Sequence, residues 1–137
     1  MSVTSEATTV WNGSLTDGSG TVTFDSSHLG TFDVNWKARS EGSSTVTTPE
    51  ELIAAAHASC FSHERTQNGT PPESVRCSAA VTFIPGTGIT GSHLNVHASV
   101  PGLSQEDFDR IASAEKAGCP VSAALAGIEI TLEATLA

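Results

Sequence analysis

Three cysteines and five histidines are the residues of this 137-residue chain whose chemistry can go beyond packing. Cys119 lies in Gly118-Cys119-Pro120-Val121-Ser122, where a glycine ends one helical pattern and a proline opens another. A cysteine at a helix start faces unpaired N–H groups and the positive end of the helix dipole, and both favour a thiolate. It is either a nucleophile or a capping residue chosen for size. Cys60 sits in the apolar, alanine-rich stretch from Leu52 to Phe61. There a thiol is a small core residue unless a cation lies beside it to hold a thiolate. Cys77 alternates with Val75, Ala79, Val81 and Phe83, the pattern of a packed core thiol.

Metal ligation competes for the same residues. His57, Cys60 and His63 are spaced i, i+3, i+6. The outer two stand about 9 Å apart along a helix axis. Tetrahedral zinc holds its ligands at about 2.0–2.3 Å, so one straight helix supplies at most two of the three. His93 and His97 share a strand face and could add to a site, but no spacing matches a paired Cys-x-x-Cys and His-x-x-x-His site. Cys119-Pro120-Val121-Ser122 has the form of a thioredoxin-type redox motif. Only 18 residues follow Cys119, too few for the strand–helix–strand remainder of that fold. Arg39, one of six basic residues, follows a strand pattern and precedes Glu41-Gly42. Glu50 falls in a first helical turn, where the dipole favours a carboxylate in any case.

The elements that must position these residues are legible from patterning and caps. Residues 1–48 read as strands: Val10-Trp11, Gly20 to Phe24, and Phe32 to Lys37, where Phe32, Val34 and Trp36 alternate with polar residues. Asp17-Gly18 suits a hairpin turn. Thr48, Pro49 and Glu51 are an N-cap, a first helical residue and the closing member of a capping box. The helix they open has almost no charged face, which predicts burial, and Asn68-Gly69 with Pro71-Pro72 stops it by about residue 67. Val75 to Ile84 and Ile89 to Val100 read as strands around a Pro85-Gly86-Thr87-Gly88 turn. Ser104 caps a helix over 104–117 with Asp107 in the capping-box position. Pro120 opens a short helix to about Leu125, and Ile128, Ile130 and Leu132 mark a last strand. The order predicts an α+β fold with mostly antiparallel sheet, in one domain spanning 1–137.

Composition narrows the function classes. A net charge of −9 argues against nucleic acid and against an anionic membrane surface as partners. No apolar run approaches the ~20 residues of a membrane span, and Met1 to Glu6 has neither the basic nor the apolar part of a signal peptide. A cytoplasmic protein without a structural disulfide is the expectation.

Thr48-Pro49-Glu50-Glu51-Leu52-Ile53-Ala54-Ala55-Ala56-His57-Ala58-Ser59-Cys60-Phe61-Ser62 closely resembles the active-site helix of the OsmC/Ohr family of peroxiredoxins. Lys116-Ala117-Gly118-Cys119-Pro120-Val121-Ser122 resembles that family's second cysteine motif, and Trp36-Lys37-Ala38-Arg39-Ser40-Glu41-Gly42 its arginine loop. Val100-Pro101-Gly102-Leu103 and Ile128-Glu129-Ile130-Thr131-Leu132 fit as well, so the resemblance spans nearly the whole chain. The helix is closer in form to the OsmC branch than to the organic-hydroperoxide-resistance branch. The resemblance implies antiparallel sheets packed on a buried central helix and an intertwined homodimer with active sites at the subunit interface. It implies a thiol-dependent peroxidase without metal or organic cofactor, acting on organic hydroperoxides and recycled by a lipoyl-type dithiol. Cys60 is then the peroxidatic cysteine, Cys119 the resolving one, and Arg39 and Glu50 the catalytic arginine and glutamate.

The residue types suit that chemistry. An unassisted thiol has a pKa of about 8.5, and burial raises it. Arg39 keeps its charge and would hold the thiolate, with Glu50 orienting it as a bidentate partner. Glu50 precedes Cys60 by ten residues, about 15 Å along one helix, so the Glu50 serving a given Cys60 is expected from the partner chain. One segment departs from the family pattern: His63-Glu64-Arg65-Thr66-Gln67-Asn68 stands where the family helix continues with apolar residues. Two other readings stay open beside the peroxidase, a non-enzymatic ligand-binding or redox-sensing domain of the same fold and a structural zinc protein.

Overall fold

The computed structural model describes residues 1–65 and 72–137, with the side chains of 63–65 outside that description. The polar segment His63 to Asn68 singled out above therefore lies outside the described side chains. Two compact units are present, Met1–Pro49 and Glu50–Ala137.

The first unit is a three-stranded antiparallel meander of β1 (Ala7–Asn12), β2 (Ser19–Phe24) and β3 (Thr31–Val34), followed by α1 (Trp36–Glu41). Thr9 pairs with Val22 and Val22 with Phe32, so apolar and small residues stack across the sheet. Gly13 enters the β1–β2 loop at φ +95, and the Gly18 N–H donates to the Ser14 carbonyl at 2.8 Å.

Here the structure corrects the sequence reading. The strand expected over Phe32–Lys37 ends at Val34, and Arg39 lies on a helix rather than in a loop. Asn35 is the cause. Its backbone is still extended, but its side-chain oxygen accepts the Ala38 N–H at 2.8 Å, an N-cap that satisfies an orphan helix donor and starts α1. Gly42, at φ +90, closes α1 with its N–H on the Ala38 carbonyl, a backbone conformation that costs glycine little.

The second unit holds α2 (Pro49–Arg65) from Glu50 onward, and the helix begins directly after Thr48 as the cap signals predict. It then forms the sheet β4 (Ser74–Ile84), β5 (Gly88–Ser99) and β6 (Glu129–Leu136), with α3 (Gln105–Gly118) and α4 (Pro120–Ala124) in the β5–β6 connection. β4 and β5 pair antiparallel, but β6 runs parallel to β5, with Leu94 opposite Leu132. The sheet is thus mixed, because the helical crossover returns the chain to its starting end.

Period-2 patterning places Leu94, Val96 and Ala98 of β5 on the inner face, all buried, while His93 and His97 point outward. Val75, Cys77 and Ala79 of β4 and Ile130, Leu132, Ala134 and Leu136 of β6 complete that face. Phe61 of α2 and Phe108 and Ala112 of α3 fill the layer above it, each fully buried. Burying a phenylalanine contributes about 1.5–3 kcal/mol, so the two rings anchor both helices to the sheet.

α3 is capped as predicted. The Ser104 hydroxyl oxygen accepts the Asp107 N–H at 3.2 Å and its O–H donates to the Asp107 carboxylate at 3.1 Å. Gln105 ties the same turn to β6, accepting the Leu136 N–H at 3.2 Å. α2 is only half buried: Glu50, His57 and Phe61 face inward, whereas Glu51, Ala55, Ala56 and Ser59 are exposed. The helix expected to be buried throughout keeps one uncharged strip open in the single chain.

Candidate active site

Cys119 owes its position to its neighbours. Pro120 cannot continue α3, and the residue before a proline is driven out of the helical region. Cys119 accordingly takes φ −66, ψ 123, ending α3 and capping α4 at once. Its N–H donates to the Glu115 carbonyl at 2.9 Å, and its side chain is fully buried. Cys60 sits on α2 one residue before the anchor Phe61, partly exposed.

These placements bring the two sulfurs together. The Cys119 thiol donates to the Cys60 sulfur at 2.9 Å, and both cysteines are free thiols. Burial pushes the Cys119 thiol up, but the hydrogen bond with Cys60 and the polar groups of Val121 and Ser122 at the start of α4 outweigh it, and the net shift is downward. In that ionised form Cys60 is the donor. The hydrogen bond between the two sulfurs can thus run in either direction, with whichever thiol is protonated donating.

Cys77 differs. Burial pushes its thiol up, against a smaller downward effect of a hydrogen bond with Ser62, and the Cys119 charge raises it further. It remains a protonated thiol at neutral pH, in keeping with a core role.

His57, considered above as a metal ligand, is fully buried and held on both sides. Its Nδ1 lies 2.7 Å from the Ser92 hydroxyl of β5 and its Nε2 lies 2.8 Å from the Ser122 hydroxyl of α4. Burial lowers its pKa, so the ring is neutral at pH 7. Among the described residues, no group of three or more His, Cys, Asp or Glu side chains is placed to hold a metal ion. Ser92 and Ser122 were not singled out from the sequence as partners of His57. The one signal was a serine at an inward position of an otherwise apolar strand face, Ser92 beside Leu94, Val96 and Ala98.

Arg39 lies in the last turn of α1, in the first unit. Glu50 lies in the first turn of α2, buried, in the second. Within the second unit the structure joins Cys60 to Cys119, and Glu50 stands ten residues before Cys60 on the same helix.

Comparison with known proteins follows the same lines. Residues 40–133 match the family model described as OsmC-like protein. Over 130 residues the chain is 39% identical to peroxiredoxin OsmC of Escherichia coli strain K12, covering 90% of both proteins. Among solved structures it is similar to the organic hydroperoxide resistance protein OhrB of Bacillus subtilis, with a TM-score of 0.72, 21% identity, and 97% and 98% of the two chains covered. It is similar also to an OsmC-like protein from Mycoplasma pneumoniae, with a TM-score of 0.73, 16% identity and 99% of each chain covered. At those identities the structural likeness speaks for the fold.

Proposed function

Because the chain belongs to the OsmC-like protein family, we propose that it is a thiol-dependent peroxidase that reduces organic hydroperoxides, and hydrogen peroxide, through a peroxidatic Cys60 and a resolving Cys119. The observation that carries this reading is the 2.9 Å approach of the two sulfurs. In the first step the Cys60 thiolate attacks the terminal peroxide oxygen. The O–O bond breaks, Cys60 becomes a sulfenic acid, and the departing alkoxide takes a proton to leave as the alcohol. In the second the Cys119 thiolate attacks the sulfenic sulfur, and hydroxide leaves and is protonated to water as the disulfide forms. The sulfurs lose two electrons to the peroxide, and a dithiol reductant, of the lipoyl type, returns them.

Arg39 is assigned to hold the Cys60 thiolate and Glu50 to orient Arg39. No metal or organic cofactor takes part. The 15 Å that a ten-residue helical separation spans supports a Glu50 supplied by the partner of a homodimer. The uncharged strip Ala55, Ala56 and Ser59 on α2 and the wholly exposed β1, with Val10 and Trp11, suit the burial that a partner chain would provide. The chain acts as one domain over 1–137, in the cytoplasm, with neither nucleic acid nor membrane as a partner.

The test is a rapid thiol-loss assay of the reduced protein with cumene hydroperoxide and with hydrogen peroxide, followed by mass analysis. Fast loss and a Cys60–Cys119 disulfide are expected, with the rate ratio ranking the substrates. Loss as slow as that of a free thiol, with no such disulfide, would replace the peroxidase by a ligand-binding domain of the same fold.

A further inference from the structure

Two contacts join α2 to the start of α4, and they lie side by side. The His57 Nε2 is 2.8 Å from the Ser122 hydroxyl, and the Cys60 and Cys119 sulfurs are 2.9 Å apart. His57 and Cys60 are three residues apart on α2, so they share a face, with about 5–6 Å between their Cβ atoms. Cys119 and Ser122 are also three apart, at the N-cap and in the first turn of α4, where such residues are neighbours. The earlier residue of α2 meets the later residue of the α4 turn, so the two segments pass each other in opposite directions.

Little else of this kind holds α4. It is five residues long, and its N-cap makes no side-chain cap bond. Among the described residues, the His57 contact is the one side-chain hydrogen bond from α4 itself to another element. On the other side of the ring, Nδ1 is 2.7 Å from the Ser92 hydroxyl, so the imidazole also ties α2 to β5. A neutral imidazole donates at one nitrogen and accepts at the other, and a serine hydroxyl can do either, so both bonds form in either tautomer. All three side chains are buried, where a hydrogen bond is stronger than in water.

We propose that His57 is a positioning residue for disulfide closure: by holding Ser122 one helical turn from the sulfurs, it keeps Cys119 opposite Cys60 before any bond joins them. A disulfide sets its sulfurs about 2.05 Å apart, so closure asks for a shift of about 0.9 Å with α4 already in place. Without the Ser122 bond the short helix is freer while the thiols are reduced, and closure must order it. That cost lowers the effective concentration of one thiol at the other. The inference deepens the peroxidase reading and rests on it for its use in turnover, where Cys119 attacks the Cys60 sulfenic acid.

The experiment equilibrates the protein in a Cys77→Ala background with reduced and oxidised glutathione at pH 7, blocks the remaining thiols and measures the Cys60–Cys119 disulfide by mass analysis. No peroxide is present, so the result does not depend on the peroxidase reading. Ser122→Ala is expected to lower the effective concentration of the pair about fivefold, the size of one net hydrogen bond. Ser122→Thr keeps a hydroxyl and should return it to within about twofold of the parent. Ser92→Ala removes a bond of the same ring, equally buried, but leaves α4 tied. It should lower the urea midpoint as Ser122→Ala does, yet keep the effective concentration within about twofold of the parent. In single-turnover mixing with cumene hydroperoxide, Ser122→Ala should form the sulfenic acid at the parent rate and close the disulfide about fivefold more slowly. An unchanged effective concentration in Ser122→Ala, or an equal fall in Ser92→Ala and Ser122→Ala, would overturn the positioning role. A shifted glutathione equilibrium in a protein whose parent does not react with peroxide would keep that role and overturn the peroxidase reading instead.

Discussion

Cys60 and Cys119 stand 59 residues apart in the chain, yet their sulfurs lie 2.9 Å apart, on α2 and at the α3–α4 junction. That proximity makes the two thiols separable by substitution. Cys60→Ser is expected to abolish peroxide turnover. Cys119→Ser should consume about one peroxide per chain and then stall as a sulfenic acid, trapped as an adduct with a carbon nucleophile and weighed by mass spectrometry. Continued turnover in Cys60→Ser would assign the attack to another thiol.

Cys77 is the internal control. Its thiol is raised by burial and faces the sheet core, so it stays protonated. Cys77→Ala should form the Cys60–Cys119 disulfide at the parent rate, and its stability should fall by about 1 kcal/mol in urea denaturation. Mass analysis that finds Cys77 in a peroxide-induced disulfide would contradict this.

Acid should weaken the fold through His57. Its pKa is lowered from 6.5 by burial, so below that value the unfolded chain takes up a proton more readily than the folded one. The contribution of the neutral ring is complete above about pH 6.5 and declines as the pH falls toward the folded value. Urea midpoints measured between pH 7.5 and 5 should drop on the acid side, and His57→Gln should show a shallower decline. Equal slopes in the two proteins would place the acid sensitivity elsewhere.

Phe108 is fully exposed to the consequences of truncation, because it lies at zero solvent exposure between α3 and the sheet. Phe108→Ala is expected to cost about 3–5 kcal/mol, read from the denaturant midpoint. A loss below about 1 kcal/mol would mean that the core closes around the gap.

Local signals were enough where a cap or a proline decides the backbone. Thr48-Pro49, Ser104 with Asp107, and Gly118 with Pro120 each mark an element boundary that the structure repeats. The same logic failed at Asn35, whose capping oxygen overrides a period-2 pattern that Trp36 continues by coincidence of type. Pairing of Cys60 with Cys119 came from resemblance of motifs rather than from spacing. The partners of His57 were out of reach for a different reason: they lie 35 and 65 residues downstream, and only the packing of α2 between β5 and α4 brings them to the ring. Serines carry no periodic signal strong enough to announce such a contact.

The parallel pairing of β6 with β5 sets an order of assembly. β4 and β5 meet through a tight turn, with Ile84 opposite Gly88, whereas Gly91 must wait for Glu129, 38 residues later. Closing so long a loop costs more chain entropy and slows the step, so the hairpin precedes the third strand. Until then β5 is an open edge, able to pair with any other extended chain. His93, Asn95 and His97 on its outer face make that edge a poorer template for aggregation, and once β6 has docked His93 turns from guarding the edge to joining it, in a hydrogen bond with Thr131 at 2.6 Å.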